Sequence, residues 1–158
     1  MTSRLDDGRR AFERKAWAAA RDALSEARDD GLEGDDLRRL ALASYLVGDD
    51  PGFLRAMENA HQAYLSSGEV PVAVRCAFWA GLHLAERGEM ARASGWFGRA
   101  GRLLESSDVE CAESGYMLLP AGQGQLGSGD YEACVATARR AEAIAQRFDD
   151  ADLLTLAL

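Results

Sequence analysis

What this chain is short of narrows its class. No apolar run approaches the roughly 18 residues that a membrane-spanning helix needs, and the opening residues Met1-Thr2-Ser3-Arg4-Leu5-Asp6-Asp7 are charged where a secretory leader would be apolar. A cytoplasmic location is expected. Cysteine is scarce and odd in number: Cys76, Cys111 and Cys134 lie far apart, each inside an apolar pattern. That spacing argues against a disulfide framework and against zinc, and the three read as small core residues. Lysine and isoleucine occur once each, as Lys15 and Ile144, while arginine and alanine are abundant; the imbalance reads as a coding bias, so the arginines are no functional signal in themselves. Positive charge is in deficit, with 18 Lys+Arg against 26 Asp+Glu and a net charge of −8. A surface of that sign does not grip phosphates, and no nucleic-acid contact is expected from this segment. Catalytic signatures are missing too. There is no G-x-S-x-G serine and no G-x-x-x-x-G-K loop, and paired carboxylates show no arrangement beyond helix caps. His61 and His83 have no Cys or His near them in sequence to complete a ligand set, and read as surface or groove side chains. The expectation is no enzyme, no catalytic residue, no cofactor and no metal.

What the chain does have is a recurring pattern of small residues. Gly81 lies seven residues before Gly88, and Ala93, Phe97 and Ala100 follow at helical spacing. This reads as a helix, a tight turn and a second helix packed closely on the first, with Gly81 facing Ala93. The arrangement recurs around Gly8, Ala20, Leu24 and Ala27, around Gly48, Ala56, Ala60 and Ala63, and around Gly122, Gly129, Cys134, Ala138 and Ala141. From Ala20 to Ala56, Ala93 and Cys134 the steps are 36, 37 and 41 residues, close to the roughly 34 of a tetratricopeptide repeat. The expected fold is all-α, a right-handed tetratricopeptide-like solenoid of about four helical hairpins plus one unpaired C-terminal helix. It is expected as a single domain over residues 1–158, with repeats near 1–32, 33–68, 69–107 and 108–148 and the start of a fifth at 149–158. With 158 residues, 47% of them hydrophobic, the chain can bury a continuous core without staples.

Caps and breakers predict nine helices. Leu5 to Glu13 and Trp17 to Arg28 make the first pair, closed by Asp29-Asp30-Gly31. Asp35 or Asp36 caps a third that runs through Val47, and Asp50, followed by Pro51, caps a fourth ending near Ser66. A fifth carries Pro71 early and ends at Arg87, a sixth opens at Glu89 and closes near Ser106, and Ser107 with Glu110 resembles a capping box for a seventh. Pro120 is expected to kink that seventh helix. Asp130 opens the eighth. Asp149-Asp150 precede a ninth whose Leu153, Leu154, Ala157 and Leu158 form an apolar face, expected either to pair with a second molecule as a homodimer or to fray. The acidic doublets read as caps rather than calcium ligands. Gly122-Gln123-Gly124-Gln125-Leu126-Gly127 matches G-x-G-x-x-G, but the strand before it and the acidic residue about 20 positions on are missing. It reads as a degenerate stretch of the repeat or as a flexible point facing a ligand.

The inner surface of such an array is where a partner belongs. The first helices of the hairpins offer Arg38 and Tyr45, then Arg75, Phe78 and Trp79, then Tyr116 and Gln123, an arginine-dotted aromatic groove for a protein or peptide partner. Trp79 reads equally well as core between repeats. The strings Tyr45-Leu46-Val47-Gly48, Arg75-Cys76-Ala77-Phe78-Trp79, Arg87-Gly88-Glu89-Met90-Ala91-Arg92, Gly95-Trp96-Phe97-Gly98-Arg99-Ala100-Gly101-Arg102-Leu103-Leu104 and Gly115-Tyr116-Met117-Leu118-Leu119-Pro120 resemble the tetratricopeptide region of LuxR-type transcriptional regulators of high-GC bacteria. The resemblance implies repeats that sense a ligand or partner ahead of a C-terminal helix-turn-helix that binds DNA. No basic helix-turn-helix stands in these residues, so the chain is expected to be an N-terminal piece whose DNA binding lies elsewhere. The functional expectation is a non-catalytic protein-interaction or ligand-sensing module of a bacterial transcriptional regulator. The alternatives are a free-standing adaptor and a small-molecule pocket around the seventh helix.

Overall fold

The computed structural model of the chain describes residues 3–27 and 31–158. The predicted end of the second helix at Arg28 and the Asp29-Asp30 doublet lie outside the described residues. Regular structure among the described residues is helical: α1 (Arg4–Glu13), α2 (Trp17–Glu26), α3 (Gly34–Leu46), α4 (Asp50–Ser66), α5 (Val70–Glu86), α6 (Met90–Ser107), α7 (Glu113–Tyr116), α8 (Leu119–Ser128), α9 (Tyr131–Phe148) and α10 (Ala151–Ala157). The chain divides into two compact units, Met1–Glu69 and Val70–Leu158.

In the first unit α1 packs on α2 and α3 on α4, and α3 also meets α1 and α2. The approach of α1 to α2 is close enough to require a glycine. A Cβ on Gly8 would stand 2.7 Å from Leu24 Cγ and 3.2 Å from the Leu24 backbone nitrogen, the latter an atom that cannot move aside. Ala11, Ala20 and Ala43 fill the space beside Phe12. In the second unit α5 packs on α6, α8 on α9, α7 on α5 and α9, and α10 on α9. Phe78, Tyr116, Ala145 and Leu153 form its core, with Trp79, Phe97 and Ile144 packed around them. The side chain beneath which Gly81 lies is Phe97, whose Cε1 would be 2.6 Å from an added Cβ. The expected partner, Ala93, is fully buried one helical turn before it.

One turn is used repeatedly. At Lys15, Gly48, Gly68, Gly88, Gly129 and Asp149 the backbone adopts a positive φ between 53° and 81°. In each case the next residue's N–H donates to a carbonyl five residues before it, as from Asp49 to Ser44 (2.8 Å), Glu89 to Leu84 (2.9 Å) and Asp150 to Ala145 (2.9 Å). These bonds satisfy carbonyls that a helix end leaves without partners. Glycine suits the position because a Cβ there crowds the following carbonyl.

Several predicted caps move. The side-chain cap of α4 is Asp49, which accepts from the Gly52 N–H at 2.9 Å, so Asp50 is the first helical residue ahead of Pro51. Neither Asp35 nor Asp36 caps α3; its N-cap is Glu33, without a side-chain bond, because both aspartates are taken by tertiary partners described below. The Ser107–Glu110 capping box does not form: α6 runs through Ser107, whose hydroxyl donates to the Leu104 carbonyl at 3.2 Å, and Asp108 ends the helix in a left-handed conformation. The predicted seventh helix is two short ones. Pro120 has no N–H to continue a helix, and it stands in the first turn of α8, where none is needed.

Candidate interaction surface

Two arginine–carboxylate clusters organise the units. In the second unit Arg75, on α5, donates from Nε to Glu113 Oε1 at 2.9 Å and from a terminal nitrogen to Asp150 Oδ2 at 2.6 Å. Asp150 also accepts from the Tyr116 hydroxyl at 2.9 Å and caps α10 through the Leu153 N–H at 2.9 Å. The Arg75 guanidinium lies 4.7 Å from the centre of the Tyr116 ring, and that ring meets Phe78 edge-on at 5.2 Å. Burial alone would raise the Asp150 carboxyl, but the Leu153 N–H, the Tyr116 hydroxyl and Arg75 outweigh it and hold the group below its usual range. Burial and the hydrogen bond to Asp150 push the Tyr116 phenol up.

The first unit repeats the device. Arg9 on α1 makes a two-pronged bond to Asp36 on α3, from Nε to Oδ1 at 2.8 Å and from a terminal nitrogen to Oδ2 at 2.6 Å, and Arg39 adds a third bond at 2.8 Å. Asp36 is fully buried. The Arg9 bonds hold its carboxyl below the usual range against the opposing effect of burial, with Arg39 assisting. Asp35 accepts from the Tyr64 hydroxyl of α4, and burial together with that bond pushes the Tyr64 phenol up to about 12. Paired and multiply bonded in this way, the buried carboxylates of both clusters hold helices together.

The residues expected to line a groove therefore separate. Phe78 and Tyr116 are interior, at 0% and 1% exposure, because their rings complete the apolar core between α5, α7 and α10. Arg75 is committed to two carboxylates. Trp79 is half-buried against Phe78 and Tyr116, the core placement that its position in the pattern also allowed. Gln123 is exposed on α8, a helix with no buried residue at all. The structure brings Arg75, Phe78, Trp79 and Tyr116 together, but as a packed cluster of rings with the guanidinium over one of them.

Arg38 and Tyr45, in the other unit, do stand on an exposed face. On α3 the residues Leu42, Tyr45 and Leu46, with Val47 at its end, are 43%, 49%, 46% and 37% exposed. Arg38 precedes Leu42 by one turn, its guanidinium 4.0 Å from Asp35. The Tyr45 ring leans on buried Phe53 at 5.6 Å, which fixes the ring and leaves its edge in solvent. The spacing 38, 42, 45 and 46 is a single helical stripe. Leu42 and Leu46 join Arg38 and Tyr45 on this face, four and eight residues after Arg38, a helical spacing visible in the sequence. Asp36 could have been found as an acid standing in register with apolar positions, four residues before Leu40 and seven before Ala43.

Other groups are placed as follows. The histidines expected near the surface are buried, His61 on α4 and His83 on α5, at 0% and 6% exposure, because each falls on the inward side of its helix. Cys76 and Cys111 are buried and Cys134 half-buried, none of the three in a disulfide. Gly122 to Gly127 lies wholly inside α8, so the glycine-rich string forms a helix where a dinucleotide site needs a loop between a strand and a helix. A small cavity of about 20 Å³, beside Leu40, Ser44, Asp49 and Ala56, is roughly water-sized. Among the described residues no three His, Cys, Asp or Glu side chains gather as metal ligands, and no helix is long and apolar enough to cross a membrane. No family model, no curated protein and no solved structure matches this chain.

Proposed function

We propose that this chain is a non-catalytic helical-repeat module that holds a protein or peptide partner along the exposed face of α3, in the sensing region of a bacterial transcriptional regulator of LuxR type. The reading rests on one observation, the stripe of Leu42, Tyr45, Leu46 and Val47 beside Arg38. Contiguous exposed apolar side chains are unfavourable in water and mark contact surfaces. An aromatic ring already fixed by Phe53 loses little freedom on binding, and an arginine at the end of the stripe takes a carboxylate of the partner. The buried carboxylates support the non-catalytic part, since Asp36, Glu113 and Asp150 are each engaged by an arginine. A cytoplasmic setting belongs to this reading.

A photo-crosslinking residue placed at Leu46 in living cells tests it. One defined protein should be captured from that position and not from exposed Arg55 on α4, and Leu42→Asp should abolish capture without lowering the melting temperature. Equal capture from both positions, or capture indifferent to Leu42→Asp, would remove α3 as the binding face. The regulatory part is separate: Leu42→Asp should also change the transcription of a defined set of genes, and an unaltered transcript profile alongside a lost complex would favour the adaptor.

A further inference from the structure

Helix α6 carries a second face of different chemistry. Its inner side is apolar, with Ala93 and Ala100 fully buried. Its outer side presents Arg92, Arg99 and Arg102, all exposed. Arg92 is held by Glu89 at 2.6 Å. Arg99 lies over the Trp96 ring, 4.5 Å from its centre, and Arg102 passes over Gly98, so close that an added Cβ would stand 3.4 Å from its terminal nitrogen. Among the described residues no carboxylate pairs with Arg99 or Arg102, although the chain has eight more acids than bases. Arg9, Arg39 and Arg75 are ion-paired, while Arg99 and Arg102 share their lack of a carboxylate with scattered arginines such as Arg14 and Arg55 and differ from those in standing together on one helix face. Between Arg92 and Arg99 sits Gly95, exposed, with no atom within 4 Å of where its Cβ would be.

We propose that this face docks an acidic helical segment of another protein, with carboxylates spaced to meet Arg92, Arg99 and Arg102. Seven residues of helix separate the first two arginines by about 10 Å along the axis and three separate the last two by about 4.5 Å, a row that a helix with acids at the same intervals matches. Guanidinium groups bind carboxylates through two parallel bonds. The Trp96 ring holds Arg99 in place, so less side-chain freedom is lost on binding. The bare backbone at Gly95 lets a rod-shaped partner come near in the middle of the row. A long polyphosphate chain is the poorer fit, because a net charge of −8 repels it over its length while a short acidic helix meets only the local positive face.

The test uses the full chain and two synthetic alanine-based helices, one with three glutamates at the spacing of the three arginines and one with glutamines instead. Binding is followed by fluorescence anisotropy. The glutamate helix should bind and weaken as salt rises, while the glutamine helix should not bind. Arg99→Gln with Arg102→Gln should lower affinity about tenfold, the two exposed pairs together being worth about one such step. Leu42→Asp on α3 should change nothing, so failure here and failure of the α3 reading are distinguishable. Equal binding of both helices overturns the proposal. So does an oligonucleotide of matched charge that binds more tightly, which would assign the face to phosphates, and so does self-association in sedimentation that Arg99→Gln abolishes, which would assign it to a second copy.

Discussion

Arg75 shows how a residue chosen for its surface character can be a structural one. It reads as an exposed anchor because arginine mostly is exposed and because its position falls on the first helix of a hairpin. What places it inside is the arrival of Glu113 and Asp150, 38 and 75 residues further along, and no local periodicity reports contacts of that range. Substitution should therefore act on the fold. Arg75→Ala leaves two nearly buried carboxylates facing each other and should cost about 3 kcal/mol in urea denaturation. Arg75→Ala combined with Glu113→Gln should recover part of that loss; a single variant within about 0.5 kcal/mol of the parent would mean that the cluster is neutral. Gly115 carries a similar lesson, since it reads as an undemanding helix start. A Cβ there would stand 2.5 Å from Leu153 Cδ2 and 3.0 Å from Ile144 Cγ2. Gly115→Ala should destabilise by roughly 1–3 kcal/mol, visible as a lowered melting temperature, and a neutral result would show that α10 shifts to make room.

At the level of the element, the recurring turn is the part of the fold that the sequence displays most openly. Gly48, Gly88 and Gly129 stand out as breakers with an acid following each, and all three adopt the left-handed conformation. The two copies without glycine, at Lys15 and Asp149, are harder to read, since lysine gives no sign of the conformation and aspartate, which tolerates it, is also a common helix cap. They make a prediction possible: Lys15→Gly and Asp149→Gly should each stabilise by about 1 kcal/mol, whereas Gly88→Ala should destabilise by a similar amount. Calorimetry on the three variants would check the signs, and stabilisation by Gly88→Ala would refute the argument. Helix α8 is the opposite case, legible as irregular but not as a separate element. It contains Gly122, Gly124 and Gly127 and buries no residue. Its amides should exchange hydrogen faster than those of α9. Gly124→Ala with Gly127→Ala, where an added Cβ meets nothing within 4 Å, should slow that exchange and stabilise by up to about 1 kcal/mol per site.

For the molecule as a whole, the carboxylate and tyrosine environments bound the pH range of stability from both sides. Asp36 and Asp150 titrate below their usual range when folded, so the stability they lend is present above the ordinary aspartate value of about 3.9 and is lost as pH falls through the lowered folded values. Tyr64 has the opposite sign: its phenol is raised from 10.0 to about 12, so its contribution is complete below pH 10 and disappears as pH rises through 12. Urea midpoints measured across pH should fall at both ends, and Tyr64→Phe should flatten the alkaline limb between those two values. An unchanged alkaline limb would mean that the Tyr64–Asp35 bond lends nothing. The ring cluster has an optical consequence as well. Trp79 lies 6.4 Å from Tyr116, near enough for tyrosine excitation to pass to the indole, and Trp96 lies beneath Arg99 in the same unit, whereas Trp17 rests edge-on against Phe12 at 5.3 Å in the other. With Trp79 and Trp96 replaced by phenylalanine, the only indole emission comes from Trp17, so the melting of Met1–Glu69 can be watched by itself against the denaturation of the whole chain.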